Sequence, residues 1–126
     1  MANNAVQIWA SQGDDAPIVW QSRDGRRWRL RDMATSHLIN IIRQIVNAWA
    51  TLEGVSPVFV KEYWAEMDFT DRHKLERYSI HSRMFLREIY RRLETGEQLP
   101  PGYERVWQSV VDKVSEMLQR RLQPAS

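Results

Sequence analysis

The chain has no cysteine in its 126 residues. This excludes disulfide staples, thiolate nucleophiles and thiolate metal sites, and it leaves compartment open, because a chain without cysteine suits any redox environment. No apolar run approaches the roughly 18 residues that a membrane-spanning helix requires. The opening segment MANNAVQIWASQGDD has neither a basic leader nor a long apolar stretch, so a soluble, cytoplasmic protein is expected. Catalytic signatures are also scarce. There is no His-Glu-x-x-His, no glycine-rich phosphate loop and no Gly-x-Ser-x-Gly elbow. Of the three histidines, His73 and His81 lie eight residues apart, about two helical turns, too far for both to hold one ion. Glu62 and Glu66 form an i, i+4 carboxylate pair that could hold a hard cation or share a proton. No second pair of ligands accompanies them, and a solvated helix face is the simpler reading. The expectation is therefore no enzyme, no cofactor and no metal. Internal repeats and low-complexity tracts are absent as well.

What is present is a composition that folds. With 43% hydrophobic and 27% charged residues and six tryptophans, the chain is in the range where apolar burial offsets chain entropy. Its length suits one domain, residues 1–126, able to bury roughly two-thirds of its unfolded surface. Net charge is only +2, but it is unevenly spread. Arg23, Arg26, Arg27, Arg29 and Arg31 face two aspartates between Ser22 and Ala34, and seven basic residues face four acidic ones between Asp71 and Glu94. Between them, Glu53, Glu62, Glu66 and Asp68 make an acidic stretch with a single lysine. Such an arrangement would allow self-complementary pairing of two copies.

Val6-Gln7-Ile8-Trp9 is a short apolar segment before loop-forming residues, and residues 1–15 read as a tail or an edge strand. Strands are predicted at 17–22 and 26–31, joined by Asp24-Gly25, a pair suited to a tight hairpin turn because both residues tolerate positive φ. Pleat alternation then puts Trp28 and Leu30 on one face of the second strand and Arg27, Arg29 and Arg31 on the other. Thr35 or Ser36 caps a helix whose Leu38, Ile41, Ile42, Ile45, Trp49 and Leu52 recur at three- and four-residue spacing, stopped by Gly54. Ser56-Pro57 starts a second helix ending near Phe69. Thr70-Asp71 starts a long third one with Leu75, Tyr78, Ser82, Phe85, Ile89 and Leu93 on one face, a break being allowed between Ser79 and Ser82. After the turn-rich linker 96–102, Val106 or Trp107, Val110, Val114, Leu118 and Leu122 mark the last helix, which Pro124 terminates. The expected class is α+β, mainly α: an N-terminal β-hairpin, 17–31, packed on a bundle of about four helices within 36–123.

The run Val19-Trp20-Gln21-Ser22-Arg23-Asp24-Gly25-Arg26, then Arg31-Asp32-Met33 and Ser36-His37-Leu38-Ile39-Asn40-Ile41-Ile42, resembles short uncharacterised proteins of bacteriophages and other mobile elements. The resemblance covers about residues 19–45 and implies an origin in a bacterial host cell rather than an activity. Its motif also has a plain structural explanation: a turn, Asp32 near a helix N-terminus where negative charge is favoured, and a polar helix start.

The candidate interaction residues are cationic first. Arg83, Arg87 and Arg91 recur every four residues along the long helix, with Arg92 adjacent, and such a stripe suits successive phosphates or an acidic partner. A solvated face paired with Glu88 and Glu94 is the alternative. Arg27, Arg29 and Arg31 on one strand face repel each other unless something anionic lies across them. Glu62, Glu66 and Asp68 form the acidic candidate. The tryptophans read as core, with Trp9 and Trp64 as alternative interface anchors. Two functions follow. One is a non-catalytic accessory protein that binds and inhibits a host protein or nucleoprotein complex, in the manner of anti-CRISPR and other anti-defence proteins. The other is a nucleic-acid-binding protein that uses both arginine surfaces. A homodimer is a further expected partner state.

Overall fold

Val6, Trp9 and Ala10 sit at helical spacing and all three are buried. In the computed structural model, which describes residues 3–12, 19–21, 24–52 and 72–122, the first segment accordingly coils into α1, Asn3–Ser11. This corrects the expected tail or edge strand. Strict alternation would have buried Val6 with Ile8, whereas Ile8 is 59% exposed, because the burial pattern follows the helical period rather than the pleat.

Two three-residue segments, β1 (Val19–Gln21) and β2 (Arg27–Arg29), run antiparallel with Val19 opposite Arg29, Trp20 opposite Trp28 and Gln21 opposite Arg27. The connection at 22–23 lies outside the described residues. The expected second strand at 26–31 is shortened, since Leu30–Asp32 closes into a 3-10 turn in which the Met33 amide donates to the Leu30 carbonyl at 3.1 Å. Arg31 therefore does not share a strand face with Arg27 and Arg29. Leu30 and Met33 are both buried, and sinking those two side chains into the core turns the chain away from the extended path.

The protein is mainly helical, and among the described residues four helices pack together. α2 is Thr35–Leu52, α3 is Arg72–Glu94 and α4 is Glu104–Leu122. α2 packs on α3 and α4, and α1 packs on the same two helices. Leu38, Ile42, Ile45 and Trp49 of the predicted stripe are buried, with Ile39 and Val46 buried beside them, while Ile41 is only half-buried. Phe85 and Ile89 of α3 and Val110, Val111, Val114 and Met117 of α4 close the core around them. α3 runs unbroken through Ser79–Ser82, with Ser82 fully buried on its inner face. Trp9 stacks on Trp49 with ring centroids 5.6 Å apart, and Tyr90 meets Trp107 edge to face at 5.2 Å. Both geometries suit the ring quadrupoles.

α3 ends where Gly96 takes φ +97°. The Gly96 amide donates to the Leu93 carbonyl and the Glu97 amide to the Arg92 carbonyl, a Schellman closure that glycine adopts without strain. This fixes Glu97 beside the start of α2, where the Thr35 hydroxyl donates to its carboxylate at 2.5 Å. The helix expected at 57–69 lies outside the described residues. No helix among those described is long and apolar enough to cross a membrane.

Candidate interaction surface

The helix that carries the predicted cationic stripe is also the one against which α1 rests, and this sets what its arginines meet. Arg83 lies half-buried over the ring of Trp9, its Cζ 4.9 Å from the ring centroid. Four residues on, Arg87 donates from Nε to the Ala10 carbonyl at 2.9 Å and from Nη2 to the Gln12 carbonyl. These carbonyls belong to the last turn and exit of α1, where intrahelical donors run out and the helix dipole is negative. Arg87 is thus a side-chain cap for a neighbouring helix. α1 is tied to α3 again where the Gln7 amide donates to the Glu94 carboxylate. Arg91 is exposed but is ion-paired with Glu88 at 2.6 Å.

Arg92 is the buried member of the group, only 7% exposed. Its Nε donates to Glu88 Oε2 at 2.7 Å, its Nη1 to Thr35 Oγ1 at 2.9 Å, and its Nη2 to the Leu30 and Arg31 carbonyls at 2.9 and 3.2 Å. A buried guanidinium is tolerable only when its donors are satisfied in this way. Burial pushes the Glu88 carboxyl upward, but hydrogen bonds and positive charge from Arg91 and Arg92 outweigh it and hold the group below its ordinary value. Arg91 is correspondingly raised, first by its hydrogen bond to Glu88. Burial pushes the Tyr90 hydroxyl up to about 12.

The second arginine group stands at the opposite extreme. At the turn, Gly25 has φ +87°, and the Asp24 carboxylate accepts from the Arg26 amide at 3.1 Å and pairs with the Arg26 guanidinium at 3.3 Å. Arg29 pairs loosely with Asp32 at 3.6 Å, both side chains being largely exposed. Arg27 and Arg31 are exposed, and among the described residues neither has an ion-pair partner. Trp28 between them is half-buried against the core. The result is an outward arginine edge carried on a segment anchored by Trp28, Leu30 and Met33.

The structure therefore brings Arg27, Arg29 and Arg31 together on one outward segment and turns Arg83 and Arg87 toward α1. It does not join the two groups into one cationic face. Glu62, Glu66 and Asp68 lie outside the described residues. Asp32 and His37 are exposed, and the Asn40 side chain donates to the Tyr103 hydroxyl at 3.1 Å, tying α2 to the start of α4. Among the described residues no three His, Asp or Glu side chains gather closely enough to hold a metal ion. Arg92 was not singled out as a site residue. Its signal was its place at i+7 from Phe85 and i+3 from Ile89, on the buried stripe of its helix, together with Glu88 four residues earlier. Compared with known proteins, the chain matches no family model, no curated protein and no solved structure.

Proposed function

We propose that this is a non-catalytic accessory protein of the mobile-element type, acting in a bacterial host cell by binding a nucleoprotein complex through its arginine edge. The finer architecture goes with this reading: a short β-hairpin, built on the β1–β2 pairing, lies on the helical bundle and carries Arg27 and Arg29 outward, with Arg31 exposed on the 3-10 turn that follows it. One observation supports it above the others. Arg27 and Arg31 present exposed guanidinium groups without an ion-pair partner among the described residues, on a segment whose neighbouring side chains are sunk in the core. Exposed guanidinium groups held on one short segment concentrate positive potential there, and arginine's planar fork suits phosphate oxygens. The inward turn of Arg83 and Arg87 weighs against a reading that enlists both arginine groups at once.

Fluorescence anisotropy with a labelled nucleic-acid duplex tests this directly, titrated at several salt concentrations. Affinity is expected to fall steeply with salt, and the Arg27→Ala, Arg31→Ala double variant should flatten the slope of log K against log salt by about 2, one per lost phosphate contact. Wild-type protein that fails to bind the duplex at about 50 mM salt, where such contacts are strong, would sink the proposal.

A further inference from the structure

We infer that Arg92 is the positioning residue of the arginine edge, setting the angle at which Arg27, Arg29 and Arg31 leave the bundle; this rests on the binding reading above. The edge is held to the helical body by two kinds of attachment. The apolar one is Trp28, Leu30 and Met33, which fix depth but, being non-directional, fix orientation poorly. The directional one is the Arg92 guanidinium, whose Nη2 reaches the Leu30 and Arg31 carbonyls, the two that directly follow β2. The same side chain holds Thr35 at the start of α2 through Nη1 and Glu88 on its own helix through Nε. One planar group therefore spans three elements: the 3-10 turn, α2 and α3. Lysine, a point charge on a flexible stem, cannot make these bonds in one plane.

Glu97 completes the assembly. It accepts from the Thr35 hydroxyl, which leaves that oxygen's lone pairs turned to Arg92, and its own position follows from the Schellman closure of α3. The Arg31 side chain is exposed while its carbonyl is bonded to the buried Arg92. A residue offered to a partner is thus pinned through its backbone by one that never reaches the surface. Holding the edge in a single orientation before binding removes ordering cost from the binding step.

The test combines backbone amide hydrogen exchange with the labelled duplex, comparing wild type, Arg92→Met and Arg92→Lys. In Arg92→Met, which keeps side-chain volume, exchange at the Met33 amide should accelerate by about 30-fold or more while Val46 and Val111 in the core helices change by less than about threefold. Duplex affinity should fall by about tenfold, with the salt slope unchanged because no phosphate-contacting charge has been removed. Arg92→Lys should restore neither. Acceleration shared equally by Met33, Val46 and Val111 overturns the inference, since Arg92 would then serve global stability alone, and so does full recovery in Arg92→Lys. If Arg92→Met does not fold, Thr35→Val replaces it: selective acceleration at Met33 supports the inference and unchanged exchange there overturns it. Should wild-type protein not bind the duplex, the functional proposal fails, while the exchange comparison still decides the role of Arg92.

Discussion

Two arginine-rich segments of this protein read alike in sequence and behave oppositely in space. Along α3, Arg83 lies on a tryptophan ring, Arg87 caps α1 and Arg92 is bonded to three elements. Along residues 26–31, the guanidinium groups point to solvent, and the ion pairs they form, with Asp24 and Asp32, join largely exposed groups. The difference arises from neighbours rather than from residue type. α3 is flanked by other helices, so a long side chain with an apolar stem lies along them and delivers its charge to their polar ends. β2 has a bundle on one side only, and its alternate residues have nowhere to go but outward. The lesson is that clustered arginine in a sequence does not by itself decide whether the side chains turn inward or stay exposed; the packing of neighbouring elements does.

The comparison can be broken most forcefully at Arg92. Arg92→Ala removes a buried charge that satisfies two carbonyls and a hydroxyl, and a loss of about 3 kcal/mol in urea-unfolding stability is expected. A cost below about 0.5 kcal/mol, typical of ordinary surface substitutions, would show that the buried arginine is no different from the exposed ones. Arg87→Ala should follow at about 2 kcal/mol or less, because its half-buried hydrogen bonds to the end of α1 are charge-assisted but partly reached by water. Proteolytic release of the α1 segment is the sensitive check, and it should become faster in that variant than in wild type.

Acid sharpens the same contrast. Glu88 titrates below its ordinary value of 4.5 in the folded chain, so the stability it contributes is present above that value and is lost as pH falls through the lowered one. Glu88→Gln should flatten the acid limb of a stability–pH curve, and an unchanged limb would mean that Arg91 and Arg92 do not hold the carboxylate. Alkali probes Tyr90 with the opposite sign. Its value is raised from 10.0 to about 12, so the folded state keeps the proton that the unfolded state gives up, and stability should fall as pH rises across that interval. Tyr90→Phe should lessen the fall, as read by phenolate absorbance and unfolding together.

The smallest expected effect on stability lies at the edge. Arg27→Ala and Arg31→Ala, separately or together, should change unfolding free energy by no more than about 0.5 kcal/mol, since exposed charges contribute little to folding. A loss greater than about 1 kcal/mol would place those side chains among the structural arginines and remove the distinction.

Much of the helical layout was legible because its signals are periodic. The stripe of Leu38, Ile42, Ile45 and Trp49 announced α2, and the glycine and prolines between 96 and 101 announced the end of α3 and the linker before α4. α1 was misread because four residues cannot separate a period of two from one of 3.6, and Trp9 and Ala10 had to be weighed together with Val6. The second strand was drawn too long because alternation through Leu30 and Arg31 looks extended, while the 3-10 turn there depends on Met33 sinking into a core that no local window contains. For the candidate surface, the outward character of Arg27 and Arg29 was readable from the pleat. The fate of Arg83 and Arg87 was not, because their acceptors lie more than seventy residues away in the chain.

Local patterning was sufficient to specify that this chain is mainly helical, where its long helices run and that its charge is segregated along its length. Those properties depend on side chains a few residues apart, and backbone geometry translates them directly into faces and turns. Which cations became internal braces and which stayed exposed was settled by packing, when α1 came to lie against α3 and the turn at Leu30–Asp32 met Arg92. A guanidinium accepts whichever carbonyl, carboxylate or ring the fold brings near it, and that choice is made across distances the linear order of residues does not encode.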